Sequence, residues 1–440
     1  MTLTMVLVKA QIGPLREELK ASSEEKIQEL KAANIKLEQQ HSELQRDIML
    51  SAATSGDSHT VALLLRRTGV PVDFVHPDYG GETLLFVASR WGHIDLINLL
   101  LQKAACVDLH RTDGATPLYI ASCHGHSNVV GKLLAHGAGV NLATSDLGCT
   151  PLYMASQEGH IDVVEKLLGR EADVNQPNTD DGSTPLFAAS QNGHTVVVEM
   201  LLGKGADVNQ PTTDYGCTPL YIASQNGHAD VVEMLLGKGA AVNQPTTDDG
   251  CTPLFAASQY GHAGVVEMLL GKGADINQPT TDDGLTPLFA ASQYGHADVV
   301  EMLLGKGAAV NQPTTDIGST PLHTAAMFGY TNVVEKLLAY GADAILTTFD
   351  GGTPLLFASK EGHADVVEML LGKGADVNKA SSAGRSPLMA AARNGHTAAV
   401  RVLLGADARI WDESQGFPNV AGGLSRAAVV EMKRSIDALR

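Results

Sequence analysis

Histidine is the residue whose type and spacing in this chain come nearest to those of a catalytic or metal-binding site. The sequence contains 16 histidines, and histidine is both a common metal ligand and the side chain that titrates closest to neutral pH. A large group directly follows a glycine in one recurring position: His93, His126, His160, His194, His228, His262, His296, His363 and His396. Because one residue returns at the same place in a repeated pattern, we interpret it as a structural hydrogen-bonding residue at a helix start.

Two other patterns resemble ligand sites without fitting them. Cys-His-Gly-His at Cys123–His126 contains metal-binding residue types, but no second pair follows with the spacing of a structural zinc site. Gly-Lys-Gly recurs around Lys204, Lys238, Lys272, Lys306 and Lys373. A phosphate-binding loop precedes a helix and has Ser or Thr after its lysine, whereas these lysines follow a helical pattern. We therefore predict helix ends here, assign no metal, cofactor or catalytic residue, and expect no enzymatic activity.

The five cysteines are too few and too scattered for the disulfide framework of a small secreted protein. Cys149, Cys217 and Cys251 occupy the same position of different repeats, so the nearest pair is expected about 10 Å apart, beyond the reach of a disulfide. We predict free thiols in a reducing compartment. This favours the cytoplasm, with the nucleus as the alternative.

Composition and charge narrow the class of partner. The chain is 44% hydrophobic and 18% charged, which is typical of an ordered protein. Lys and Arg total 31 against 49 Asp and Glu, a net charge of −18, and this charge repels nucleic-acid backbones and anionic lipid surfaces. No stretch approaches the roughly 20 apolar residues of a membrane-spanning helix. We therefore predict neither a nucleic acid nor a membrane as partner.

The chain is built from a unit that recurs every 33 or 34 residues. Each copy is anchored by a Thr or Ser two residues before a Leu, at Thr83, Thr116, Thr150, Thr184, Thr218, Thr252, Thr286, Thr320, Thr353 and Ser386. An eroded copy from about Asp47 makes about eleven units. A repeat of this period indicates a solenoid, in which each copy packs against its neighbours.

Local rules predict two short antiparallel helices in each unit. Thr218 is a suitable N-cap and Pro219 suits the first helical position, and Gly227 ends this helix after about two turns. A second helix begins near His228 and ends within Gly237–Gly239. The following Val, Asn, Pro, Asp and Gly residues predict an extended, hairpin-like finger that leads to the next anchor.

The succession Thr-Pro-Leu, Ala, Gly-His, Val-Val-x-x-Leu-Leu and Gly-Ala-Asp-Val-Asn resembles the ankyrin repeat over about residues 47–410. The resemblance implies an all-α ankyrin-repeat solenoid of helix-turn-helix units with fingers. It also implies that the protein binds another protein. The histidine that this family usually places after Thr-Pro-Leu is present only as His323. Phe187, Tyr221, Phe255 or Phe289 occupies the position in other copies, which puts the usual polar contact there in doubt but not the fold.

The residues that differ between copies are the candidates for binding. In ankyrin repeats the two residues before Gly-His and the finger tip face the concave groove. Of the two residues, the one directly before the glycine is aromatic in three successive copies, at Tyr260, Tyr294 and Phe328, and exposed aromatics are favoured binding anchors. The further candidates are Gln259, Gln293, Met327 and Trp91. For the two tyrosines, simple duplication is the alternative explanation, because their repeats are almost identical.

Acidic residues form a second series, at one position of the fingers. The series comprises Asp146, Asp180, Asp214, Asp248, Asp282 and Asp316. We assign Asp214, Asp248, Asp282 and Asp316 to the binding surface, because an acidic ridge favours a partner with basic residues. For any single aspartate the alternative is a solvated turn residue that caps its own turn.

A helix without repeat character is predicted before the repeats. Its heptad has Ile27, Asn34, His41 and Ile48 at position a and Leu30, Leu37 and Leu44 at position d. Asn34 in a coiled-coil core would suit a parallel dimer at some loss of stability, but Leu15 and Leu19 are out of register. We favour a single helix that caps the first repeat, and dimerisation is the alternative.

These observations divide the chain into an N-terminal helix at 1–46, the repeats at 47–410 and a C-terminal capping segment with a helix at 411–440. The predicted function is a non-catalytic scaffold or adaptor that binds a partner protein through the concave groove and the finger loops. The alternative is a dimeric spacer or tether assembled through the N-terminal helix.

Overall fold

The computed structural model describes residues 2–76, 80–409 and 434, without the side chains of residues 2–15, 18 and 19. Every regular element within these residues is a helix. The helices are α1 Thr2–Ser55, α2 Ser58–Thr68, α3 Leu84–Arg90, α4 Ile94–Gln102, α5 Pro117–Cys123, α6 Ser127–Ala135, α7 Pro151–Gln157, α8 Ile161–Leu168, α9 Pro185–Gln191, α10 Thr195–Gly203, α11 Pro219–Gln225, α12 Ala229–Gly237, α13 Pro253–Gln259, α14 Ala263–Gly271, α15 Pro287–Gln293, α16 Ala297–Gly305, α17 Pro321–Phe328, α18 Thr331–Ala339, α19 Pro354–Glu361, α20 Ala364–Gly372, α21 Pro387–Arg393 and α22 Thr397–Gly405.

The chain divides into two compact units. The first consists of residues 1–155 and 162–172, and the second consists of residues 156–161 and 173–440. Helices α1 to α6 belong to the first unit and α9 to α22 to the second, while α7 and α8 contribute residues to both. In each pair the odd-numbered helix is the first helix of a repeat and the even-numbered helix is the second.

The first helices begin where the sequence predicts. Thr218 is the N-cap of α11, and its side-chain oxygen accepts a hydrogen bond from the backbone N–H of Tyr221 at 3.2 Å. Pro219 takes the first helical position, where a missing N–H costs nothing. Gly227, beyond the end of α11, has a φ of +75°, a left-handed conformation that glycine adopts more readily than other residues. The chain can therefore turn directly into α12.

The recurring histidine precedes each second helix but makes a different bond from the one we expected. His228 is the N-cap of α12, yet its side chain makes no capping bond to that helix. Its Nε2 lies 3.0 Å from the carbonyl oxygen of Gln191 in the preceding repeat. The equivalent pairs are His194–Gln157, His262–Gln225, His296–Gln259 and His363–Met327 in the second unit and His93–Thr54 and His126–Arg90 in the first. The histidine therefore joins repeats rather than capping its own helix.

Neighbouring repeats share an apolar core within each unit. Val231, Val232 and Leu235 of α12 are at most 1% exposed, and α12 packs against α11 of its own repeat and against α10 and α14 of the two neighbours. The first helices pack against one another from α9 to α21, more extensively than the second helices do. Helices of 7 and 9 residues, such as α11 and α12, are too short to be stable alone. Each repeat is therefore stabilised by the repeats on either side of it.

The fingers are hairpin-like, but none of the described residues forms a β-strand. Within one finger, the backbone N–H of Thr212 donates to the carbonyl of Cys217 at 2.9 Å. The next residue, Thr213, donates to the carbonyl of Asp181 in the preceding finger at 2.7 Å. The asparagine of the Asn-Gln-Pro run accepts a hydrogen bond from a backbone N–H of the next repeat in the pairs Asn175–Asp207, Asn209–Ala241, Asn243–Asp275, Asn277–Ala309 and Asn311–Asp343. Backbone and side-chain bonds thus fix each finger against its neighbours.

His323 makes the polar contacts that the resemblance places after Thr-Pro-Leu. Its Nδ1 accepts a hydrogen bond from the backbone N–H of Thr320 at 3.1 Å, and its Nε2 lies 3.1 Å and 3.2 Å from the carbonyl oxygens of Leu346 and Gly352. Burial lowers the pKa of His323 to about 4. The ring is therefore neutral near pH 7, with its proton on Nε2.

We expected the leucines of the leading helix to pack on the first repeat, but among its described side chains only those at the C-terminal end of this helix pack there. α1 runs without a break from Thr2 to Ser55, so the predicted boundary at residue 46 lies inside it. Met49 and Ala53, near its C-terminus, are fully buried and belong to the first repeat, whereas Leu30 and Leu37 are 70% and 64% exposed. The side chains of residues 15 and 19 lie outside the described residues, as does the predicted C-terminal helix apart from Arg434.

Candidate protein-binding surface

Three aromatic side chains of the second unit occupy equivalent places at the ends of first helices. Tyr260 and Tyr294 are the C-caps of α13 and α15, and Phe328 is the last residue of α17. They are 51%, 50% and 44% exposed, respectively. We call these three residues the aromatic strip. Half-exposed aromatic rings offer a large apolar area to a partner at a low cost in side-chain entropy.

Each ring of the aromatic strip stacks on the residue two positions later. Tyr294 stacks on His296 with the ring centroids 6.5 Å apart and an angle of 21° between the planes. Tyr260 stacks on His262 and Phe328 on Tyr330 in the same manner. Nε2 of His296 is itself bonded to the carbonyl of Gln259 at 2.9 Å. His262, on which Tyr260 stacks, makes the equivalent bond to Gln225. The bonds between repeats therefore also orient the rings of Tyr260 and Tyr294 before a partner binds.

Of the other residues predicted to face the groove, three lie beside the aromatic strip and one lies in the first unit. Gln259, Gln293 and Met327 are half-buried beside the aromatic strip, and Nε2 of Gln259 donates to the hydroxyl of Tyr294 at 3.4 Å. Trp91 is 54% exposed, but it belongs to the first unit. The second unit therefore brings together the strip and its three neighbours, and Trp91 forms a separate candidate in the first unit.

The four aspartates that we assigned to the binding surface are exposed at the finger tips. They are Asp214, Asp248, Asp282 and Asp316. At Asp249 the neighbouring carboxylates, Asp248 above all, raise the pKa of the side chain. Asp282 and Asp283 of the next finger contribute to the same shift. The negative charges of these two fingers therefore repel one another, and a cationic partner would relieve that repulsion.

Sequence reasoning missed several apolar residues at the finger tips. Tyr215, Ile317 and Phe349 are 56%, 54% and 72% exposed in the second unit, and Leu147 is 47% exposed in the first. The backbone N–H of Phe349 donates to the carbonyl of Ile317 at 2.9 Å, so these two apolar residues lie on adjacent fingers. The sequence could have revealed these residues, because an apolar residue follows or replaces the finger aspartate in these copies. They are easily overlooked because most residues at these finger positions are acidic.

The cysteines of the fingers are poor nucleophiles. Burial, with the nearby Asp214 carboxylate, raises the pKa of Cys217 to about 11, and burial with Asp249 raises that of Cys251 to about 12. Cys106, Cys217 and Cys251 are free thiols. The described residues also contain no group of three or more His, Cys, Asp or Glu side chains placed to hold a metal ion.

We expect iodoacetamide to alkylate Cys217 and Cys251 at pH 8 at least about 100-fold more slowly than an unstructured cysteine, because the thiolate is the reacting form. The rates should rise about tenfold for each pH unit toward pH 11. Timed alkylation followed by peptide mass spectrometry measures each site, with the exposed Cys106 as the internal reference. Rates at the two finger cysteines equal to the Cys106 rate at pH 8 would contradict the expectation.

Pairs of short helices, hydrogen bonds between repeats and projecting fingers make each of the two units an array of helical repeats. The sequence model for ankyrin repeats matches residues 19–110, 102–178, 175–246, 211–280, 235–314, 272–348 and 322–414. The chain belongs to the ankyrin repeat family, and ankyrin repeats mediate protein–protein interactions.

Among solved structures, the ankyrin repeat domain of human ASB11 matches 52% of this chain and 99% of its own length, with 30% sequence identity and a TM-score of 0.47. A search of curated protein sequences gave no match. Within the described residues, no helix combines the length and the apolar character needed to cross a membrane.

Proposed function

We propose that this protein is a non-catalytic scaffold or adaptor whose second unit binds a partner protein through the aromatic strip and the adjoining fingers. The observation that supports this most strongly is the set of half-exposed rings, each stacked on a residue two positions later. Buried aromatic anchors supply much of the affinity in protein complexes. Rings that are already oriented lose little entropy when they bind.

The finger tips add a second element to the proposed surface. The carboxylates of Asp214, Asp248, Asp282 and Asp316 favour a partner with basic residues, mainly through the association rate and selectivity. Ile317 and Phe349 add apolar contact area on adjacent fingers. The proposed partner is therefore a protein with a mixed apolar and basic surface. The free thiols fit a reducing compartment, the cytoplasm or the nucleus.

Replacing the whole aromatic strip, Tyr260→Ala, Tyr294→Ala and Phe328→Ala together, should weaken binding by more than about 100-fold, because aromatic anchors are typical hot spots. The proteins captured from the native cell by the wild type and by this variant are compared by quantitative mass spectrometry. The matched control is Tyr340→Ala. Tyr340 is 47% exposed in the same unit but follows a second helix.

Proteins captured by the wild type and by Tyr340→Ala, but lost from the triple variant, would support the proposal. If the triple variant retains every partner of the wild type, the strip is not the binding site. Circular dichroism of each variant checks that the repeats remain folded.

A dimeric spacer or tether is the second candidate, and the exposed stretch of α1 favours it. Ile27, Leu30, Leu37 and Leu44 face solvent, although a helix that packs on its own chain would bury such residues. A dimer formed through α1 would hold two sets of ankyrin repeats together. Each set could still bind a partner through its groove, but dimerisation does not require such binding.

A further inference from the structure

The stretch of α1 that precedes the repeats carries a stripe of residues that the described chain leaves uncovered. Successive members are three or four residues apart, which places them on one side of the helix. We call them the α1 stripe: Ile27, Leu30, Asn34, Leu37, His41 and Leu44. The four apolar members are 49%, 70%, 64% and 56% exposed. Large side chains repeated on one helix face are the usual mark of a helix that pairs with another helix.

The repeats do not cover this stripe. Every residue from 20 to 41 is exposed, and the first buried residue of α1 whose side chain is described is Met49. Near the base of the exposed stretch, Asp47 pairs with His76 at 2.9 Å and the guanidinium of Arg46 lies over the ring of Phe74. Residues 20–45 therefore extend roughly 40 Å beyond that anchor, at 1.5 Å per helical residue.

We propose that a second copy of this chain covers the α1 stripe, and that the two helices pair in antiparallel orientation. The proposal rests on the dimeric candidate named above and is independent of the aromatic strip. In the register that overlaps the whole stripe, Ile27 packs against Leu44 of the other copy, Leu30 against His41 and Asn34 against Leu37. The two arrays then leave from opposite ends of the helix pair, so they do not compete for space at its base.

The charges beside the stripe favour this orientation. Lys26, Lys31 and Glu38 are exposed and occupy the flanking positions whose charges select the partner helix in coiled coils. In a parallel pair in register, Lys26 of one copy would lie beside Lys31 of the other, which is a repulsive contact. In the antiparallel pair, Lys31 lies beside Glu38 of the other copy, and the two-fold symmetry forms this attractive contact twice.

The polar members of the stripe also fit an antiparallel pair. Nδ2 of Asn34 donates to Oε1 of Glu38 at 2.8 Å, and Nε2 of Gln45 lies 2.6 Å from Nε2 of His41. Asn34 therefore has a partner on its own helix and does not need a second Asn34 across the interface. This removes the reason for the parallel orientation that the sequence suggested. Glu38 would bridge Asn34 of its own helix and Lys31 of the other copy.

Charge reversal distinguishes the two orientations. The molar mass of the full chain is measured by light scattering and sedimentation over a wide concentration range for the wild type, Lys31→Glu, Glu38→Lys and the double variant. We expect a dimer for the wild type, about tenfold weaker association for each single variant, and recovery in the double variant, because the ion pairs are lost and then rebuilt. In a parallel dimer Lys31→Glu would relieve the repulsion with Lys26. Tighter association of that variant therefore overturns the antiparallel model.

Two further variants complete the test. Leu30→Glu combined with Leu37→Glu should give a monomer with unchanged circular dichroism of the repeats, because both side chains are exposed. Leu44→Cys, on a background with Cys106→Ser, should not form a disulfide with itself, because the antiparallel register places the two copies of residue 44 roughly 25 Å apart along the helix pair. Self-cross-linking at residue 44, which a parallel pair in register would allow, would contradict the antiparallel register. A wild type that stays monomeric at every concentration overturns dimerisation itself and leaves the test of the aromatic strip unaffected.

Discussion

Replacing Leu235 with alanine is expected to lower the free energy of unfolding of the second unit by about 3 kcal/mol. Leu235 is fully buried in α12, and α12 packs against α10, α11 and α14. Truncation removes apolar contacts and leaves a cavity that the surrounding short helices can fill only partly. Urea unfolding followed by circular dichroism measures the effect.

Val196→Ala is the matched control for this experiment. Val196 lies in α10 of the adjacent repeat and is 47% exposed, so its truncation should change the stability by less than about 0.5 kcal/mol. An equal loss for the two variants would mean that Leu235 does not belong to a shared core.

Gly261→Ala is expected to destabilise the second unit by about 2–3 kcal/mol, the combined cost of a left-handed alanine and a lost hydrogen bond. Gly261 has a φ of +77°, and an added Cβ would lie 2.5 Å from Nδ1 of His296. To avoid it, His296 must move away from the carbonyl of Gln259, to which its Nε2 is bonded at 2.9 Å. Thermal or urea unfolding measures the loss.

Gly271→Ala tests whether position rather than residue type causes this effect. Gly271 is the last residue of α14, and an added Cβ there would meet no atom within 4 Å beyond the adjoining residues and the backbone of its own helix. Alanine favours a helix over glycine, so this variant should be as stable as the wild type or more stable by up to about 1 kcal/mol. If Gly271→Ala were as harmful as Gly261→Ala, the contact between Gly261 and His296 would not explain the result.

Much of the fold could be predicted from the sequence because it is set by local rules that each copy repeats. Thr218, Pro219 and Gly227 define one helix through capping, a fixed φ and a left-handed turn. The recurring histidine could be recognised as structural, because a residue that returns at the same position of most repeats serves the repeat itself. Its bonding partner could not be predicted, because the carbonyl of Gln191 lies one repeat away and no local rule specifies that distance.

The candidate surface was only partly predictable. The aromatic strip could be found because its three residues share one position, directly before a glycine. The stacking of Tyr294 on His296 could not, because it depends on side-chain orientations that sequence spacing does not give. Ile317 and Phe349 were not predicted, because most copies have aspartates at or beside the same finger positions. For α1 the heptad was recognised, and the structure leaves Leu30 and Leu37 in solvent where we expected them to pack on the first repeat.

Hydrogen exchange of the Leu235→Ala variant tests most directly the central claim that neighbouring repeats share one core and that none folds alone. Exchange is followed by mass spectrometry across the second unit and compared with that of the wild type. The account predicts that the amides of α10 and α14, in the flanking repeats, lose protection together with those of α11 and α12. Loss of protection confined to α11 and α12, with the flanking helices as protected as in the wild type, would contradict it.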